Sequence, residues 1–431
     1  MLNTLKEKGN LIPDSSHDSP EHNHEPEDEE IIRRMTVQEL KRRVAEEPQR
    51  SVRQVYEDVR ASEMNRLQDF YDDEEISVAI PSLGSVSSIL QRSRAEVRPS
   101  LPQTRESIEL DGVWSNTIDG RRFLCINDGT VDRILGFTTD ELMQALCAAQ
   151  EIFLDGTFRV APKIFEQLYT VHGFYKGLMV PFAYFLLPDK KKETYISMFT
   201  LLRNDAASIG LVVRPQSCQL DFEQSTLQAL REVFPETELK GCNFHFGQCL
   251  WRKVQEVGLK QHYKTPGVKR TVRSIGALAF VPLTSIDDAW SGINAEAPGP
   301  GHPAYEHLKT FKEYFVDTWL ENPSMYPRSL WNHYMNFGAR TTNHVEGWHN
   351  ALNLAVGKSS VNIFELVQQL QKEEQRFRHD MQHLRVGNRP PKSRKKHCER
   401  NEALVRLATE LQTDQISIID YVHRVAANVA L

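Results

Sequence analysis

Between residues 121 and 187 four segments rich in β-branched and aromatic residues follow one another: RFLCIN, EIFLDGTF, QLYTVHGFY and LMVPFAYFLLP. Gly173, Gly177 and Pro188 punctuate them. Runs of this kind bury as strands, and strands joined by short breaks pair as an antiparallel meander. This block dictates a sheet that the rest of the chain must cover. Within it, TDELMQALCAAQ reads as a helix capped by Thr139. After Pro188 the pattern alternates. KKKETYISMFTLLRNDA is amphipathic, with Tyr195, Met198, Phe199 and Leu202 in helical register. The strand SCQLDF, the helix EQSTLQALREVF, the strand ELKGCNFHF and the helix GQCLWRKVQEVGLKQHY complete the block. Strands separated by helices add in parallel through right-handed crossovers. With EIFLDGTF, QLYTVHGFY and LMVPFAYFLLP as the three-strand meander and SCQLDF and ELKGCNFHF as the parallel additions, the expected fold is α/β, a mixed five-stranded sheet with helices on both faces.

The flanks differ in character. Residues 1–31 are polar and acidic, with Pro13, Pro20 and Pro26, and predict disorder. A helical region is expected over residues 32–110. There, Thr36 and Glu39 suggest a capping box before VQELKRRVAEE, with Pro48 as its stop. Ser51 can cap the next helix, whose Val52, Val55, Tyr56 and Val59 share a face. A third helix is expected from Val86 to Val97, before Pro99. Two short helices and a turn suit a DNA major groove, and they equally suit a helical lid. From residue 264 onward only helical patterns and loops are found, broken by Pro266, Pro282, APGPGHP, Pro323 and Pro327.

Charge is uneven. Residues 1–110 hold 23 acids and 15 bases, whereas residues 371–400 hold ten bases and four acids, in a chain of net charge −6. A basic stretch can attract phosphates although the whole chain is acidic. The run RPPKSRKK suggests a DNA contact or a nuclear import signal through Arg394, Lys395 and Lys396, and a loop is its ordinary reading. No apolar run predicts a membrane span, and no secretory signal is read at the N-terminus. Six scattered cysteines suggest a reducing compartment.

Three acids draw the functional reading. Asp155 ends the apolar run EIFLD, and Asp221 ends SCQLD. A carboxylate inside such a run is costly unless it is paired, solvated or bound to metal. On neighbouring strands the two would emerge at one sheet edge and suit divalent cations with oxygen ligands. A helix opened by RTTNHVEGWHNALNLAVG could bring in Glu346. Each acid also has an ordinary reading: a turn residue before Gly156, a helix cap, and a first-turn helix acid.

Together, LDGTF, LDFEQS, GCNFHF and RTTNHVEGWHNALN resemble, in order and spacing, the Mutator-like (MULE) transposase domain over roughly residues 115–357. The resemblance implies a ribonuclease-H-like fold whose catalytic, metal-binding acids are Asp155, Asp221 and Glu346. Intervals of 66 and 125 residues separate them, which implies a helical insertion at about 264–340 before the last acid. A C-terminal helical region over 358–431 with a basic loop would follow. The implied cofactor is Mg²⁺ or Mn²⁺, which would activate water, and later a freed 3′-hydroxyl, against DNA phosphodiesters. DNA is the implied partner, both transposon ends and target, with nuclear location and homo-oligomers expected. His349, one turn beyond Glu346, could touch the scissile phosphate or simply pack. Arg340 and Asn343 could contact the DNA backbone.

The family's Cys-x-x-His element reads Cys242 to His245 here, and Cys249 follows it. The three could hold zinc, but a structural site wants a fourth ligand, and packing or a place near the DNA is the preferred role. HDSPEHNHEPEDEE also resembles the tail of a FLYWCH-type zinc finger through His22 and His24. That finger needs two upstream cysteines, and none precedes Cys125, so it cannot form within this chain. The competing reading is a domesticated, non-catalytic DNA-binding or chromatin protein. A nuclease without strand transfer and an interaction scaffold are further alternatives.

Overall fold

The computed structural model describes residues 28–47, 50–97, 100–321, 326–336, 338–390 and 395–428, and for residues 97 and 395–397 the backbone alone. His22, His24 and Arg394 therefore lie outside the described residues, as do the side chains of Lys395 and Lys396. The chain divides into two compact units, one ending at Leu101 and one running from Pro102 to Leu431.

The first unit has helices α1 (Asp28–Glu46), α2 (Val52–Leu67), α3 (Asp73–Ala79) and α4 (Leu83–Val97). Leu40, Val44, Val55, Tyr56, Val59, Val86 and Leu90 form one core, with Tyr56 Oη donating to Pro81 O. Ser51 caps α2 in a capping box with Gln54. Thr36, in contrast, starts no helix. It lies inside α1, buried, its hydroxyl donating to Ile32 O. Three acids in the first turn of α1 complement the helix dipole, and the buried Ile32 carries the core stripe back past Thr36. The segment 28–31, expected to be disordered, is helical for the same reason.

In the second unit the strands are β1 (Leu124–Asp128), β2 (Ile134–Phe137), β3 (Glu151–Thr157), β4 (Gln167–Tyr175), β5 (Leu178–Leu187), β6 (Ser217–Leu220) and β7 (Glu238–Gly241). They form one sheet in the order β1-β2-β5-β4-β3-β6-β7. The expected count of five strands is thus corrected to seven. The β1–β2 hairpin adds two antiparallel strands beside β5, and the four residues of β2, all buried, are too few to show a period of two. Strands β3, β4 and β5 form the antiparallel meander, and β6 and β7 add parallel to β3. Positive φ at Lys176 and Gly177 fits the two-residue β4–β5 turn.

Helices α5 (Asp140–Ala148), α6 (Lys192–Ser208), α7 (Gln224–Val233) and α8 (Asn243–Glu256) interleave with these strands. Thr139 caps α5 by accepting from Leu142 N. The α6 residues Tyr195, Met198, Phe199 and Leu202 are buried, and Tyr195 meets Tyr169 on one face of the sheet. After Gly241 the described residues contain no strand. They form α9 (Pro266–Ala277), α10 (Ile286–Glu296), α11 (Tyr305–Phe315), α12 (Arg328–Trp331), α13 (Asn343–Val356), α14 (Ile363–Arg385), α15 (Lys395–Gln412) and α16 (Ile418–Asn428). Helix α13 covers the sheet face opposite Tyr169, where Trp348 packs on His172 and Tyr184. Among the described residues no helix is long and apolar enough to cross a membrane.

One buried histidine ties the helical part to the sheet. His333 Nε2 lies 2.9 Å from Gly241 O at the end of β7. Burial drives its pKa down to about 4, although the bond to Gly241 resists this. An unfolded histidine titrates near 6.5, so between pH 6.5 and pH 4 the unfolded chain takes up a proton that folded His333 refuses. The stability due to neutral His333 is present above pH 6.5 and is lost as pH falls toward 4. We expect wild type to lose about 2–3 kcal/mol more than His333→Gln between pH 7 and 4.5, measured by urea unfolding.

Candidate active site

Register brings the first two acids together. Phe153 on β3 stands opposite Gln219 on the parallel neighbour β6, so two residues further Asp155 and Asp221 leave the same edge on the same face. Asp155 lies within β3, as does Gly156, so the turn reading of this Asp-Gly pair does not hold. Asp221 accepts from Glu223 N at 3.1 Å, a local turn contact, but the cap of α7 is Glu223 itself. Burial pushes the Asp221 carboxyl up, and the charges of Glu223 and Asp155 add to this against the Glu223 N–H bond.

Glu346 sits in the first turn of α13. Its Oε1 is 3.3 Å from His245 Nε2. Burial raises its carboxyl and Asp155 raises it further, while His245 and His349 oppose. The third acid therefore shares a field with the first, across 191 residues of sequence.

The Cys-x-x-His element holds this helix in place. Cys242, at the cap of α8, accepts from Thr342 N and Thr342 Oγ1, each at 3.3 Å. Asn243 N donates to Arg340 O at 3.0 Å, and His245 reaches Glu346. Burial works against a proton on His245, but Cys242, Asp155 and Asp221 hold its pKa up to about 9. Its Nδ1 makes no well-aligned hydrogen bond among the described residues. Burial pushes the Cys242 thiol up, yet His245 and Thr342 bring it below its ordinary value.

His349 turns inward. Its Nδ1 is 3.3 Å from Asp155 Oδ2 and its Nε2 is 3.2 Å from Thr170 Oγ1. Thr170 pairs with Asp155 across β3 and β4 and donates to its backbone oxygen. At 6% exposure His349 packs under Asp155. Arg340 is also engaged elsewhere: it bonds to Asn336 O and Asn401 Oδ1, lies over the Phe280 ring, and has its pKa lowered by burial. Asn343, the first residue of α13, is exposed.

A model of the MULE transposase domain matches residues 151–248. The match supports a transposase-like chain, for which DNA binding follows. No curated protein matches the chain. The MULE segment holds Asp155, Asp221, Cys242 and His245, and it ends before Cys249 and Glu346.

Among the described residues no three His, Cys, Asp or Glu side chains stand close enough to hold an ion as they are. Cys242, His245 and Cys249 are not drawn together into such a group. Cys242 is engaged by Thr342 and His245 by Glu346, while Cys249 lies a turn further along α8. The carboxylates form a different kind of set. Asp221 and Glu346 have oxygen donors, partial burial and a histidine as the charge that opposes them. Hard divalent cations take such donors.

Sequence reasoning missed Thr170 and His172. Both ring nitrogens of His172 are buried without a hydrogen-bond partner among the described residues, and burial drives its pKa well below normal. Alternation along QLYTVHGFY places both on the face of Asp155, but nothing local marks their partners.

Proposed function

We propose that this chain is a DNA transposase of the DDE type, on a ribonuclease-H-like fold, that cleaves and joins transposon-end DNA. The observation that carries the reading is the register of β3 and β6, which sets Asp155 beside Asp221, with Glu346 arriving on the same face. The meander followed by two parallel strands supports the fold. Asp155, Asp221 and Glu346 would hold Mg²⁺ or Mn²⁺. Such ions supply an activated oxygen nucleophile and stabilise the leaving 3′ oxygen.

The protein's own groups do the rest. His349 fixes the Asp155 carboxylate against β4 through Thr170. The Cys242–His245 element fixes the start of α13, and with it Glu346. His245 compensates the acids while they wait for cations and DNA. Nuclear location, through the basic run at 389–396, and pairing of two copies to hold two DNA ends belong to the same reading.

The test uses the full chain and a plasmid bearing the repeats that flank its gene. With Mg²⁺ or Mn²⁺, wild type should nick the repeat ends and join them to a second duplex. Asp155→Ala and Glu346→Ala should do neither, and EDTA should abolish both steps. Nicking by either variant at the wild-type rate removes that acid from the centre. A second reading has its own observation: the acids do not converge into a cage. If wild type binds the repeats and never cuts with either metal, the chain is a non-catalytic DNA-binding protein.

A further inference from the structure

Phe158 lies three residues beyond Asp155 and is 52% exposed. Single exposed apolar residues are common and need no explanation. This ring differs in how it is held. Lys190 Nζ sits 4.9 Å above its centroid. The same ammonium is 2.8 Å from Glu223 Oε2. The Glu223 N–H in turn donates to Asp221, and its other carboxylate oxygen accepts from Tyr195 Oη. The carbonyl of the next residue, Arg159 O, accepts from Ser360 N at 2.7 Å, in the loop after α13. Lys190 thus ties the ring to Glu223, two residues from Asp221, and the backbone next to the ring is tied to the loop after the helix that carries Glu346. Arg159 and Lys163, one and five residues further along the chain, are exposed, which suits a polyanion.

Given DNA as the substrate, as argued above, we propose that Phe158 is a stacking platform for an unpaired nucleobase next to the cleaved phosphate. Lys190 fixes the ring, and Arg159 and Lys163 attract the neighbouring phosphates. Any base offers a π-face, so the contact is tolerant of sequence and specific for an unpaired nucleotide. It holds the frayed or freed strand end while the acids act on it.

The test is fluorescence anisotropy with the full chain in Ca²⁺, which occupies oxygen sites. It compares a blunt terminal-repeat duplex with one ending in a short single-stranded overhang, carrying 2-aminopurine at the first unpaired position. Stacking on an aromatic side chain contributes about 1–3 kcal/mol per base, so Phe158→Ala should weaken overhang binding roughly 5- to 150-fold. Blunt-duplex binding should change less than about twofold, Phe158→Trp should restore the overhang preference, and 2-aminopurine should be quenched by wild type and Phe158→Trp only. Equal weakening on both DNAs, with a lowered melting temperature, would assign Phe158 to the fold alone and overturn the proposal. So would an alanine variant that binds and quenches like wild type. If wild type binds and cuts but Phe158→Ala is indistinguishable from it, only the platform fails. If wild type binds neither DNA, the transposase reading fails with it.

Discussion

Asp221→Asn is expected to lose metal-dependent DNA nicking by about a thousandfold and to melt at a higher temperature than wild type. The first effect follows from removing one oxygen ligand and one charge from the proposed cation site, worth about 4 kcal/mol in the transition state. The second follows from burial. The folded protein raises the Asp221 pKa, first through desolvation and then through Glu223 and Asp155. A carboxyl with a raised folded pKa weakens the fold once pH exceeds its unfolded value near 4, and neutral pH lies above that window. Asparagine keeps the oxygen that accepts from Glu223 N and carries no charge. Plasmid nicking and a thermal melt, each with and without Mn²⁺, check both halves. Mn²⁺ should raise the wild-type melting temperature by mass action and leave the variant unmoved. A variant less stable than wild type would mean that Asp221 serves the fold rather than a cation.

Trp331→Ala is expected to cost about 3–5 kcal/mol and lower the melting temperature by roughly 10 °C. Trp331 is fully buried and stacks on Phe246 of α8, with centroids 5.4 Å apart and planes within 1°. Its Nε1 donates to Trp319 O at 3.0 Å. Trp319 in turn meets Phe222 edge-on at 5.0 Å and stacks on Tyr326 at 4.7 Å. Alanine would leave an indole-sized hole and an unsatisfied carbonyl in one step. Because Phe222 adjoins Asp221, activity should fall further than the loss of folded protein explains. Nicking normalised to the folded fraction from circular dichroism checks this.

Much of this arrangement is legible in the sequence because it is local. Apolar runs ending in Asp155 and Asp221, strands alternating with helices, and Ser51 and Thr139 as caps all depend on neighbours a few residues away. What is not legible depends on distant partners. The segment ILGF has too few residues to betray β2, which is held by β5 some fifty residues on. The pattern of Thr36 and Glu39 is a sound local cap, and it loses to an upstream turn whose Ile32 finds a core. His349 could be placed on the face of Glu346, but nothing near it says that Asp155 and Thr170 lie underneath. The Cys-x-x-His spacing gives no hint of its contacts with Thr342 and Glu346, which are about a hundred residues away.

That separation also sets an order of events during synthesis. The contacts of Cys242, Asn243 and His245 with residues 340–346 close only after the intervening helices exist. At 5–20 residues per second, the 125 residues from Asp221 to Glu346 take roughly 6–25 s to emerge. Throughout that time the growing polypeptide owns two acids, an unanswered histidine and no competent centre. On the proposed transposase reading, cleavage would be reserved for molecules whose helical insertion has been made, folded and latched.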